Sequence, residues 1–170
     1  MMVSEAPTTL DSFIDWDDVP LLDEALLDEA LQYAQRGWSV FPVYEAASIG
    51  VCSCPKGTTC SSVGKHPRIQ RGFKAATTDE AVVRDWWSKW PNANIGIATG
   101  EKSGLLVVDV DPRHDGDISL GELESQHGKL PNTVESLTGG GGRHVLFKYP
   151  QGMVVKMRKS VGSGLDIKGV

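Results

Sequence analysis

The segment Gly104-Leu-Leu-Val-Val-Asp-Val-Asp111 decides the architecture of this chain. Its short, apolar and β-branched run predicts a buried strand. Because side chains two residues apart on a strand point to the same face, Asp109 and Asp111 would lie side by side at the strand end. A divalent cation between the two carboxylates would offset their repulsion. The alternative is an ordinary strand end with two solvated acids.

The length and the charge distribution of the chain indicate how its domains are organised. The 170 residues are enough for one domain with a real core. The net charge is −5, but residues 1–29 hold nine acidic residues and no Lys or Arg, which leaves +4 on residues 30–170. We therefore expect an acidic, disordered leader over residues 1–20 and a domain over residues 21–170, in which the part from residue 30 onward is mildly basic. The leader is either a solvated tail or a competitor of nucleic acid for the basic surface.

Targeting signals are not evident in the sequence. No apolar stretch approaches the roughly 20 residues of a membrane helix, and the first seven residues lack the basic start and apolar core of a signal peptide. We expect a cytoplasmic protein with no membrane partner.

Hydrophobic periodicity predicts an α+β fold, with a mixed, partly antiparallel sheet and helices on one face. A capping-box match at Thr77–Glu80 opens the second helix, and three tryptophans at helical spacing near its end are expected in the core. The predicted helices cover residues 21–36, 77–90 and 119–127. The predicted strands cover residues 38–43, 94–99, 105–111, 133–138, 143–149, 153–158 and 165–168.

A cysteine-rich loop predicts a second metal site. Three thiols and one imidazole over residues 50–68 can close the tetrahedral sphere of one structural Zn²⁺, and a cytosolic disulfide is not expected. The alternative is reduced thiols with no metal. The basic residues around the loop form either a nucleic-acid contact or a solubilising surface; they are Lys56, Lys65, Arg68, Arg71 and Lys74. The ligand candidates are Cys52, Cys54, Cys60 and His66.

A glycine-rich turn, Thr138-Gly-Gly-Gly-Gly-Arg143-His144, joins two predicted strands. Glycines let backbone N–H groups approach a phosphate closely. A Walker loop is excluded because the Gly-Lys-Ser/Thr ending is missing and a strand follows. The alternative interpretation of this turn is a flexible hairpin. Asp166, taken alone, would be an acidic residue at a strand edge or in a turn.

The order of these motifs is similar to that of archaeo-eukaryotic-type primases. Residues 24–170 most resemble the bifunctional primase–polymerase domain of phage, plasmid and bacterial replication proteins. The family implies an RRM-like sheet joined to a small α/β unit, with the active site in the cleft, and some members carry a zinc loop. The segments that carry the resemblance are Ala30-Leu-Gln-Tyr-Ala-Gln-Arg-Gly-Trp-Ser-Val-Phe-Pro42, Gly72-Phe-Lys-Ala-Ala-Thr-Thr78, Trp86-Trp87, Pro91-Asn-Ala-Asn-Ile-Gly-Ile-Ala-Thr-Gly100, Ser103-Gly-Leu-Leu-Val-Val-Asp-Val-Asp111, Thr138-Gly-Gly-Gly-Gly-Arg-His144 and Gly164-Leu-Asp-Ile-Lys-Gly169.

The resemblance also implies residue roles. Asp109, Asp111 and Asp166 would bind two catalytic Mg²⁺ or Mn²⁺ ions, and His144 would contact the phosphates of the incoming nucleotide. The other expected nucleotide-binding residues are Gly140, Gly141, Arg143 and Lys168. The family usually continues past the third motif, so a chain ending at Val170 suggests a truncated domain.

The implied function is template-dependent nucleotidyl transfer, as a DNA primase or polymerase in phage, plasmid or bacterial replication. Expected partners are a single-stranded DNA template with its primer and NTP or dNTP substrates, with a replicative helicase as a candidate, in a bacterial or phage-infected host cytoplasm. Two alternatives stay open. One is a non-catalytic, zinc-stabilised nucleic-acid-binding module, and the other is a different Asp-x-Asp enzyme such as a sugar-nucleotide transferase.

Overall fold

The computed structural model describes residues 22–152, 155 and 158–169, so the predicted leader lies outside the described residues. Within these ranges the chain forms three α-helices and nine β-strands. The helices are α1 (Leu22–Gln35), α2 (Glu80–Lys89) and α3 (Gly116–His127). The strands are β1 (Val40–Val43), β2 (Ala46–Ser48), β3 (Val51–Cys52), β4 (Asn94–Ile97), β5 (Leu105–Val110), β6 (Glu135–Leu137), β7 (Arg143–Lys148), β8 (Arg158–Gly162) and β9 (Leu165–Lys168).

The N-terminal part of the chain packs α1 and α2 against a two-stranded sheet. Strands β1 and β4 are antiparallel, with Val40 opposite Ile97. Trp87 is 2% exposed, and its indole Nε1 donates a hydrogen bond to the carbonyl of Ala93 over 3.2 Å. Trp86 and Trp90 pack against the same cluster. The expectation that these tryptophans belong to the core is therefore confirmed.

Helix ends follow the local chemistry of the sequence. Gly37 has a φ of 82° and donates its N–H to the carbonyl of Ala34, so it ends α1 as predicted. Helix α2 begins at Glu80 because the Asp79 carboxylate accepts the N–H groups of Ala81 and Val82. The prediction that Thr77 opens this helix is wrong: an aspartate adjacent to the first turn is an equally good cap and also matches the helix dipole.

A five-stranded sheet, in the order β6-β7-β5-β9-β8, forms the second part of the chain. All pairings in it are antiparallel among the described residues, so the expected mixed sheet is wrong in this respect. Helix α3 joins β5 to β6, and those strands do run in the same direction. Strand β7 is inserted between them, and it pairs antiparallel with both.

The two faces of this sheet differ in what covers them. Val110, Val145 and Leu165 face α3 and form a buried cluster with Leu120 of that helix. Side chains alternate between faces along a strand. The neighbouring positions on β5, β7 and β9 therefore face the other way, toward a cleft beside the N-terminal part.

Some boundaries differ from the sequence prediction. Helix α3 begins at Gly116, three residues earlier than predicted. The strand predicted over residues 153–158 falls largely outside the described residues, and β8 begins at its last position. The loop over residues 45–74 contains the β2–β3 hairpin and two short 3₁₀ turns. Across the described residues, no helix combines the length and apolar character that a membrane span requires.

Candidate functional site

Three polar side chains lie in one row across the middle of the large sheet. Asp109 of β5 is directly opposite His144 of β7 on one side and Asp166 of β9 on the other. Residues paired in this way have Cβ atoms about 4.5–5.5 Å apart and share a face. The His144 Nε2 lies 3.4 Å from Asp109 Oδ1. The structure thus joins three motifs that are up to 57 residues apart in the sequence.

Asp111 extends this row beyond the end of β5. Its backbone N–H donates to the carbonyl of Gly164 over 2.8 Å, which keeps it beside the turn before β9. Asp109, Asp111 and Asp166 line one open pocket of about 370 Å³, together with Ser163 and Gly164. The three carboxylates predicted as ligands of divalent ions are therefore brought together, and oxygen donors in an open pocket suit Mg²⁺ or Mn²⁺.

Lys168 supplies positive charge to this cluster. Its Nζ lies 2.6 Å from Asp166 Oδ2 and 3.5 Å from Asp109 Oδ2, so the ammonium group screens the repulsion between the two carboxylates. Lys168 and His144 also line a larger cleft of about 750 Å³, whose far wall includes Tyr33 and Phe73. The row of acids thus lies at the edge of a cleft with the volume of a typical ligand site.

Arg113 and His114 surround the Asp111 carboxylate. The Arg113 Nε and backbone N–H donate to Oδ1, and its second terminal nitrogen donates to Oδ2, each over 3.0 Å. His114 Nδ1 lies 3.0 Å from Oδ2. The guanidinium, above all, and then the imidazole hold the pKa of Asp111 well below its usual range. Asp111 is therefore ionised at neutral pH, as an ion ligand must be.

The glycine loop lies against the end of β5. A Cβ on Gly142 would come within 2.5 Å of the Val110 carbonyl oxygen, so this position has no room for a side chain. Gly141 has a φ of 80°, which glycine adopts without strain. A Cβ on Gly140 would meet the Arg113 guanidinium at 2.8 Å. The loop is thus a defined turn at the end of β5 and beside Arg113, and its role in phosphate binding stays a prediction.

Arg143 points away from this pocket. It is adjacent to His144 on β7, so its side chain lies on the α3 face. Its guanidinium is 3.7 Å from Asp117 and 3.7 Å from Glu135. This geometry gives Arg143 a place in the packing between α3 and the sheet edge, and we do not assign it to the nucleotide site.

Close backbone packing positions Asp111. A Cβ on Gly116 would come within 2.5 Å of the Gly164 oxygen and 2.7 Å of the Asp111 nitrogen, and these are backbone atoms that cannot turn aside. The Gly116 N–H also donates to the Asp111 carbonyl over 3.0 Å. The absence of a side chain at residue 116 therefore allows three backbone segments to pack closely. They are the start of α3, the turn before β9 and the end of β5.

Gly116→Ala is expected to destabilise the protein by about 1–3 kcal/mol, because the added methyl group overpacks this junction. Gly121→Ala in the same helix is the matched control. A Cβ at residue 121 meets nothing within 4 Å, so that change should stabilise by roughly 0.5–1 kcal/mol. Urea unfolding of both variants measures the difference. Equal free energies of unfolding would contradict the packing argument.

The second cluster lies in the cysteine-rich loop, at the end of β3 and in the segment that follows it. The donor atoms of Cys52, Cys54, Cys60 and His66 all lie within 4.8 Å of one another, and the three cysteines are free thiols. His66 Nε2 is 3.4 Å from the sulfurs of Cys52 and of Cys60. Tetrahedral zinc would set such S···N distances at about 3.6 Å. The four donors can hold a zinc ion, in agreement with the sequence prediction.

The electrostatics of this cluster favour a thiolate. Burial opposes ionisation of the Cys52 thiol, but hydrogen bonds from the backbone of Gly64 and Cys54 outweigh it and lower the pKa of Cys52 to about 6. At Cys60 a hydrogen bond with the backbone of Ser62 also lowers the pKa of the thiol. Burial and the neighbouring cysteine sulfurs prevail there and raise its pKa. A Cys52 sulfur that is largely ionised at neutral pH and stabilised by backbone hydrogen bonds is suited to metal ligation.

Arg68 attaches the cysteine loop to the N-terminal part. Its guanidinium lies 2.9 Å from both oxygens of Glu45 and stacks over the rings of Tyr44 and Trp90. Its backbone N–H donates to the carbonyl of Pro42 over 2.9 Å. Arg68 is therefore a structural residue, and it does not belong to the basic contact surface considered from the sequence.

With this geometry established, comparison with known families identifies the class of protein. Residues 30–170 match the family described as "Bifunctional DNA primase/polymerase, N-terminal". The chain belongs to this family, so the resemblance deduced from the motifs is confirmed. Membership supports DNA primase or polymerase activity in general terms, with DNA and nucleotides as substrates. No curated protein matches the chain in sequence.

Sequence reasoning missed two residues of the site. Arg113 and His114 contact Asp111 with three of their side-chain atoms, yet they were not among the predicted site residues. Their position directly after the Asp-x-Asp pair was the available signal. Only the tight turn at Pro112–His114 shows that both side chains fold back onto the carboxylate.

Proposed function

We propose that this protein is a template-dependent nucleotidyltransferase that makes or extends DNA primers in the replication of phage, plasmid or bacterial DNA. The observation that carries the proposal is the row formed by His144, Asp109 and Asp166, which with Asp111 places three carboxylates and a histidine at the edge of one cleft. The large sheet and the N-terminal part would correspond to the two halves of a primase-like fold.

Divalent ions fit the carboxylate pocket by donor chemistry. Asp109, Asp111 and Asp166 would hold two Mg²⁺ or Mn²⁺ ions, which when bound activate a 3′-hydroxyl group and neutralise charge on the phosphates. The contribution of the protein is to hold the three carboxylates in fixed positions and to keep Asp111 ionised. The register of β5 with β9 fixes Asp109 against Asp166, and the packing of Gly116 on Asp111 fixes the third acid.

Lys168 and His144 would receive the triphosphate. His144 and Lys168 border both the row of acids and the 750 Å³ cleft. Both side chains can donate hydrogen bonds to the phosphates of a nucleotide bound at the ions, and the Lys168 ammonium group adds positive charge. The close packing of Gly142 on the Val110 carbonyl brings the glycine loop, with Gly140 and Gly141, to the end of β5, where backbone N–H groups can contribute in the same way. Most phosphoryl-transfer catalysis consists of such positioning and charge stabilisation.

The zinc loop has a structural role in this proposal. Three thiols and one imidazole close a tetrahedral sphere, so no position is left for substrate. The loop over residues 50–68 contains only short secondary structure, and the ion would fix its shape.

Nucleotide incorporation on defined templates tests the function. The protein is incubated with single-stranded DNA templates of different sequence, Mg²⁺ or Mn²⁺, and labelled NTPs or dNTPs, with and without a primer. We expect products whose sequence is complementary to the template. Template binding without products would instead favour a non-catalytic, zinc-stabilised nucleic-acid-binding module. Products that ignore the template would contradict the templated mechanism.

A further inference from the structure

The Asp111 carboxylate makes as many contacts as it has lone pairs. An ionised carboxylate offers about four acceptor positions. Oδ1 accepts from the backbone N–H and the Nε of Arg113, and Oδ2 accepts from the terminal nitrogen of Arg113 and contacts Nδ1 of His114. A divalent ion that binds Asp111 must therefore displace one of these groups.

The four contacts differ in how easily they can be given up. The backbone N–H belongs to the turn at Pro112–His114 and stays in place while that turn is folded. The Arg113 and His114 side chains are 61% and 71% exposed, so either can swing into solvent without opening the core. The side chains, and chiefly the bidentate guanidinium of Arg113, are the groups that an ion would replace.

The glycine loop gives the released guanidinium a nearby position. The Arg113 Cζ lies so close to Gly140 that a Cβ there would come within 2.8 Å of it. The guanidinium is thus already between the Asp111 carboxylate and the loop to which we assign the nucleotide phosphates. Guanidinium groups bind phosphate oxygens in the same bidentate manner as they bind carboxylates.

We propose that Arg113 is an exchangeable cation, which neutralises Asp111 until a divalent ion takes that carboxylate and then pairs with the phosphates of the incoming nucleotide. Binding of the ion and binding of the nucleotide are thereby coupled. The inference deepens the proposed function and rests on it, because it assumes that the ion and the triphosphate bind at this site.

Arg113→Gln tests the exchange with two binding measurements that need no turnover. Mn²⁺ alone is titrated and followed by its electron paramagnetic resonance signal. A non-hydrolysable dNTP analogue is then titrated at saturating Mn²⁺ by calorimetry. Because a competitor for Asp111 is removed, we expect Mn²⁺ affinity to rise roughly three- to tenfold. Because a phosphate partner is lost, nucleotide affinity should fall about tenfold.

Arg113→Lys and Asp111→Asn are the matched controls. Lysine keeps the charge without the bidentate geometry, so it should recover part of the nucleotide affinity. Asp111→Asn should weaken Mn²⁺ binding, which shows that the titration reports on this carboxylate.

If Arg113→Gln weakens Mn²⁺ binding, Arg113 only positions Asp111 and the inference is overturned. If the wild type binds nucleotide and Mn²⁺, and Arg113→Gln has the same two affinities, the exchange inference is wrong while the proposed function is unaffected. If the wild type binds no Mn²⁺, both the proposed function and this inference are wrong.

Discussion

Asp109→Asn is expected to reduce templated nucleotide incorporation about a thousandfold, which corresponds to about 4 kcal/mol of transition-state stabilisation. Asp109 is the central member of the row, opposite both His144 and Asp166. The amide keeps the shape of the side chain but removes the negative charge that a divalent ion requires. Steady-state incorporation rates at saturating template measure the effect.

The loss should come from chemistry and not from unfolding. The contacts of Asp109 with His144 and Lys168 are 3.4 and 3.5 Å long and partly exposed, and ion pairs of this kind add little to stability. Asp85→Asn on α2 is the matched control. It neutralises a carboxylate that is ion-paired with Lys89 outside the carboxylate pocket, and it should retain full activity. Activity of Asp109→Asn within tenfold of wild type would exclude Asp109 as an ion ligand.

Loss of zinc is expected to have the largest effect on stability. Structural zinc sites contribute several kcal/mol or more to folding, and in a protein of this size each kcal/mol corresponds to about 2–4 °C in Tm. Cys60→Ser, or treatment of the wild type with a strong chelator, should therefore lower Tm by about 10 °C or more. Differential scanning calorimetry, combined with elemental analysis for one zinc per chain, checks this expectation.

The adjacent serine provides the control for the zinc experiment. Ser61 is exposed and contributes no ligand to the cluster, so Ser61→Ala should change the free energy of unfolding by no more than about 0.5 kcal/mol. A wild type that is fully folded without zinc, or a Tm insensitive to chelation, would show that the loop is held by other contacts, such as those of Arg68 with Glu45.

Much of the candidate site could be predicted from local pattern. The apolar run before Asp109 and Asp111 predicted a buried strand, and alternation of side chains placed both acids on one face. The spacing of Cys52, Cys54, Cys60 and His66 predicted a four-donor cluster, and the structure brings the four donor atoms together. Each of these inferences depends on residues close together in the sequence, where backbone geometry leaves few possibilities.

Features that depend on distant segments were not accessible in the same way. Pairing of Asp109 with Asp166 depends on the strand order, and the insertion of β7 between β5 and β6 made the expected mixed sheet antiparallel. Whether Arg143 or His144 faces the carboxylates depends on the register of β7. The contact of the Arg113 side chain with Asp111 depends on the tight turn at Pro112–His114, which hydrophobic periodicity does not predict.

The position of bound Mn²⁺ tests the central claim most directly. Crystals of the protein grown with MnCl₂ and a non-hydrolysable dNTP analogue would be measured for anomalous scattering at a wavelength where manganese scatters strongly. We predict anomalous peaks in the pocket bounded by Asp109, Asp111 and Asp166, with the phosphates of the analogue toward His144. Manganese and nucleotide bound elsewhere, with this pocket holding neither, would contradict the assignment of the three carboxylates as the catalytic site.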